Sequence, residues 1–124
     1  MTGEELEAAL ALHRRLERLT DELARLEADG GAPGEPGGSL FQAQMAAELT
    51  REIGGLREEL SRERARIAAA LEAAPWEGVS RRLMVLRYVE CRPWRAIGAL
   101  TGYAQSHLYR LHRAARGMIA HESS

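Results

Sequence analysis

The chain of 124 residues is long enough for one ordinary domain or two very small ones sharing a core, and its 45% apolar but only 5% aromatic content predicts an aliphatic core. A charged fraction of 28% combined with sustained helical periodicity predicts long helices rather than a sheet, an all-α chain. No apolar run reaches the roughly 18 residues of a membrane span, no secretory signal opens the chain, and the lone Cys91 excludes an internal disulfide and a C-x-x-C metal site, so the expectation is a cytoplasmic protein without cofactor or metal.

The first predicted helix runs from about Thr2 to Ala28. Thr2 and Glu5 have the spacing of a capping box. Ala9, Leu12, Leu16, Leu19, Leu23 and Leu26 form an a/d seam along one face. Residues 29–39, DGGAPGEPGGS, hold five glycines and two prolines and read as a flexible connection. A phosphate-binding reading fails there because no Gly-Lys-Ser/Thr follows and the prolines lack amide donors. A second helix, from about Leu40 to Ala74, has Ser39 as candidate N-cap and a seam of Leu49, Ile53, Leu56, Leu60, Ile67 and Ala70. Gly54 and Gly55 interrupt it and are expected to allow close packing or a bend, and Pro75 ends it. Residues 1–75 therefore read as an antiparallel, coiled-coil-like helical hairpin. It must bury its seams against the C-terminal helices or a second copy, and a homodimer through the hairpin is the favoured expectation.

Residues 76–124 read as a three-helix domain. Val79, Leu83, Leu86 and Val89 mark a helix that Ser80 can cap, and residues 90–93 break it. Pro93 suits the first turn of a short helix with Trp94, Ile97 and Leu100 on one face. Gly102 supplies a positive φ in a tight turn. Leu108, Leu111, Ala115 and Ile119 mark the buried side of a last, longer helix. Helix, short glycine-containing turn and second helix form a helix-turn-helix, with Ile97, Leu100, Tyr103, Leu108 and Leu111 as its expected brace. The outer side of the last helix then offers Gln105, Ser106, Tyr109 and Arg110 to base edges, with His107 beside them. Arg113 and Arg116, further along that helix, and Arg92 and Arg95, at the start of the supporting one, are placed for phosphates.

Charge follows the same division. Residues 1–75 carry 9 Arg against 15 Asp and Glu, net −6, whereas residues 76–124 carry 8 Arg against 3 Glu, net +5. A basic segment behind an acidic one points to a different partner for each, duplex DNA for the second.

From Ser80 to Ile119, and most clearly in PWRAIGALTGYAQSHLYRLHRAARGMI, the chain resembles region 4 of bacterial sigma factors. It is more closely similar to a phage-encoded family of sigma-like regulators with an N-terminal helical hairpin. The resemblance rests on Arg87-Tyr88-Val89, Trp94, Ile97, Gly102-Tyr103, Ser106 and Tyr109-Arg110-Leu111-His112. It implies a phage or prophage transcription regulator whose DNA-facing positions are Gln105, Ser106, His107, Tyr109 and Arg110, with RNA polymerase as a further partner. The chain departs from the family pattern at Pro93, Arg95, Ala96 and Ala104. Two other classes remain open: an adaptor for RNA polymerase or a terminase, in which the helix-turn-helix is only structural, and a small terminase-like packaging subunit. An enzyme is not expected, because no nucleophile, base and orienting group share a plausible spacing.

Overall fold

The computed structural model describes residues 2–28 and 38–122; the side chains of residues 38, 39 and 120–122 fall outside that description, as do residues 29–37. Of the glycine- and proline-rich connection, residues 29–37 thus lie outside the described residues, whereas Ser39, expected as an N-cap, stands inside the second helix, which begins at Gly38. The described chain is all-helical, without a strand. Helix α1 spans Gly3–Ala28, α2 Gly38–Ala73, α3 Gly78–Met84, α4 Trp94–Thr101 and α5 Gln105–Glu122, with one π-helical turn, Val85–Val89, continuing α3. None of the described helices is long and apolar enough to cross a membrane.

The helix ends follow from local chemistry. Thr2 and Glu5 close the expected capping box, Glu5 N–H donating to Thr2 Oγ1 at 3.2 Å and Thr2 N–H to Glu5 Oε2 at 3.1 Å. Carbonyls at and just beyond the end of α2 are taken up by a side chain that the sequence did not single out. Arg81 donates from Nη2 to Ala74 O at 3.1 Å and Glu72 O at 3.4 Å, and from Nε to Trp76 O at 2.9 Å. Because these bonds are charge-assisted and leave three carbonyls unpaired when removed, Arg81→Met is expected to lower unfolding free energy by about 1–3 kcal/mol in a urea titration. Ser80 is not the cap of α3. That helix starts two residues earlier, at Gly78 with φ +57°, behind Glu77 as N-cap, which offers no side-chain bond. Pro93 stands just before α4 as its N-cap rather than in its first turn.

Two compact units divide the chain, Met1–Ala11 with Ser61–Ser124, and Leu12–Leu60. The boundary between these units falls within α1 and α2.

In the unit of residues 12–60, Leu49, Ile53 and Leu56 of α2 and Leu60 at the unit's edge are buried, whereas Leu12, Leu16, Leu19, Leu23 and Leu26 of α1 are only half-buried. Arg15 and Glu52 pair across these helices at 2.6 Å. Gly54 and Gly55 do not break α2 and admit no close neighbour among the described residues. The helix continues through them, both are exposed, and a Cβ at either would meet nothing within 4 Å. Each therefore only weakens the helix, and Gly54→Ala and Gly55→Ala are each expected to stabilise by about 0.5–1 kcal/mol, read as a higher melting temperature.

In the other unit, α3 is apolar on two faces and lies between two clusters, as a helix buried on both sides must. Met84 and Tyr88 join Leu6, Leu10, Ile67, Leu71 and Ile119 in the larger cluster. Leu83 and Leu86 join Ile97 and Leu108 in the smaller, with Trp94 and Leu111 packed against it. The π-helical turn, closed by Glu90 N–H donating to Val85 O at 3.0 Å, shifts the helical phase between these faces. Trp76, 2% exposed, fixes α5 by donating from Nε1 to Ala115 O at 3.2 Å.

Candidate nucleic-acid interface

Helices α4 and α5 are joined by three residues, of which Gly102 at φ +77° caps α4 by donating its N–H to Gly98 O at 2.8 Å. Only glycine takes that left-handed backbone without steric cost. Ile97 and Leu108, both fully buried, press the helices together. Leu100 and Tyr103, expected in this brace, are 48% and 39% exposed. Tyr103 instead lies against the His107 ring, centroids 4.9 Å apart. Ile97 and half-buried Trp94 make the α4 side of this cluster, and Leu100, near the end of the helix, is not part of it.

At about 100° per residue, Gln105, Ser106, Tyr109, Arg110 and Arg113 fall within about 140° of one another on α5, opposite Leu108, Ala115 and Ile119. The burial agrees, since all five are exposed and the latter three are buried. His107 is half-buried at the edge of this row, and Arg110 Nη2 approaches its Nδ1 at 3.4 Å. Arg92 and Arg95 are exposed around the start of α4. Arg92 is paired, Nε to Glu90 Oε1 at 2.9 Å, whereas Arg95 and Arg113 have no ion pair among the described residues. Gln105 is exposed but not idle, its Nε2 donating to Trp94 O at 3.0 Å.

Behind the row stands an aromatic brace centred on Trp94. The Tyr109 and His112 rings meet it edge-on at 5.2 and 4.8 Å, and the Arg87 guanidinium lies 4.9 Å from its centroid. His112 in turn stacks on fully buried Tyr88, and the Tyr88 hydroxyl bonds its Nε2 at 2.5 Å. Burial first, and then the cations of Arg116 and Arg87, hold the His112 imidazole down to a pKa of about 4, outweighing Glu7. Burial likewise raises the Tyr88 phenol, which stays protonated beside the neutral ring. Arg116, expected at phosphates, is instead paired with Glu7 at 2.8 Å.

Three packing roles in this geometry were not expected from the sequence, those of Gly98, of Trp76 and of His112, which entered only through the resemblance. His112 had a usable signal, since it lies four residues after Leu108 on the buried flank of α5. Trp76 had none, because its partner is a backbone carbonyl 39 residues away. Among the described residues no group of His, Cys, Asp or Glu is arranged to hold a metal ion. Cys91 is buried, its backbone left-handed at φ 54°.

No protein-family model, curated protein or solved structure matches the chain.

Proposed function

We propose that the chain is a cytoplasmic, sequence-specific duplex-DNA-binding transcription regulator of phage or prophage type, its α4 and α5 acting as a sigma region 4-like helix-turn-helix. The observation that carries this reading is the exposed polar and cationic row of α5, backed by an apolar side locked onto α3 and α4. A helix with this division can lay its outer edge in a major groove while its inner side anchors it. Ser106, Tyr109 and Arg110 face bases, Arg113 and Arg95 meet phosphates, and Arg92 joins them on exchanging Glu90 for a phosphate.

A single reader of this size binds DNA nonspecifically at about 10⁻⁴–10⁻⁶ M, and regulation calls for tighter binding. Two readers joined in one dimer supply it. The half-buried leucine seam of α1 in residues 12–28 favours a second copy as the cover of the hairpin. The experiment is retention on random-sequence duplex followed by selection of bound sequences, at several salt concentrations. Salt-dependent retention with an enriched site supports the reading, and no retention at low salt rejects it.

Exposed Leu100 and Tyr103 favour a second reading, an adaptor docking a protein such as RNA polymerase at the end of α4. It predicts retention of that partner by a chain that holds no duplex.

A further inference from the structure

Gly98 sits inside regular helix, where glycine is the poorest former after proline, and its backbone needs no unusual angle. What it supplies is room. A Cβ at this position would lie 2.9 Å from Gln105 Nε2, 3.4 Å from Tyr103 O and 3.8 Å from Leu108 Cδ1. The Gln105 amide occupies that hollow and reaches through it to donate to Trp94 O at 3.0 Å. Glycine on α4 and glutamine on α5 thus act as slot and key across the turn.

We propose that Gln105 is a positioning residue, which sets how the first turn of α5 projects from α4, and that direct base contact falls to Ser106, Tyr109 and Arg110. This rests on the duplex-DNA reading of the same face. A glutamine that reads adenine presents its amide nitrogen and oxygen together to the base edge. Here the nitrogen is turned toward the α4 backbone. Releasing it to read a base would cost the bond that holds the two helices in register.

The test compares Gln105→Met, which keeps length and removes the donor, with Gly98→Ala, which displaces the amide while favouring the helix. Both full-length variants are measured against a panel of duplexes spanning every single-base change in a selected site, well below their melting temperatures. Both are expected to bind every duplex more weakly by the same factor, roughly fivefold, the worth of one net hydrogen bond. The ranking of the duplexes should be unchanged. The proposal is overturned if Gln105→Met abolishes preference at one base pair while Gly98→Ala does not, since Gln105 would then be a reader. It is equally overturned if both variants bind as the unaltered chain does, since the bond would then be only structural. An unaltered chain that retains no duplex rejects the DNA reading itself, and this proposal with it.

Discussion

Lowering the pH from 7 to 4 is expected to remove about 2–3 kcal/mol of folding stability through His112 alone. The folded chain holds this imidazole at a pKa of about 4, against an ordinary value near 6.5 in the unfolded chain. Between those values the unfolded chain binds a proton that the native one refuses. The contribution is complete above pH 6.5, falls progressively as the solution is acidified, and is exhausted near pH 4. The figure is set somewhat below the full shift because the ring is only partly enclosed. The groups facing it are the Tyr88 hydroxyl, the Arg87 and Arg116 guanidiniums and the Glu7 carboxylate. Glu5, whose carboxyl is held below its usual range by the Thr2 backbone bond and by Arg66, weakens the fold only at lower pH, as it protonates. Urea titrations at half-unit steps separate the two windows. In His112→Gln the limb between pH 6.5 and 4.5 should flatten; a limb that persists unchanged would show that another group causes it.

The second large effect concerns the exposed arginines of α5. If Arg110 reads a guanine edge, Arg110→Ala should cost about 1–3 kcal/mol at one base pair of the selected site and relax preference there. Arg113→Ala, removing a phosphate contact, should weaken all duplexes alike and reduce the slope of log affinity against log salt by about 0.9. Neither side chain reaches the core, so both variants should melt within about 0.5 kcal/mol of the unaltered chain. Undiminished duplex affinity in the double variant would shift the balance to the adaptor reading.

These two effects were not equally visible beforehand. The α5 row could be read from spacing, because Leu108, Ala115 and Ile119 recur at helical period and leave the polar residues on the other side. The Thr2–Glu5 box and the left-handed Gly102 were legible for a similar reason, each being settled within a few residues of chain. What escaped depends on distant partners. Met84 and Tyr88 looked like off-face residues while α3 was given a single stripe. They became core because the first turns of α1 and the last turns of α2 cover a second face of that helix. The π-helical turn, which adjusts the phase between the two faces, leaves no compositional mark. Leu100 and Tyr103 looked buried from period alone, but Trp94, Ile97, Leu108 and Leu111 make up the contact between the two helices and leave both outside it. Gly98 could be recognised as a slot only once Gln105 was seen to fill it.

Leu6 and Leu10 belong to the same cluster as Ile119. During synthesis these leucines leave the ribosome on the order of 100 residues before the helix that completes their enclosure, a delay of roughly 5–20 s at ordinary elongation rates. For that interval the nascent chain carries greasy side chains with no permanent home. A fragment begun at Trp76 would face the same deficit for good, since Leu6, Ala9, Leu10, Ile67 and Leu71, which complete the larger cluster, would be missing. That enclosure is thus completed last, when the end of α5 reaches the first turns of α1.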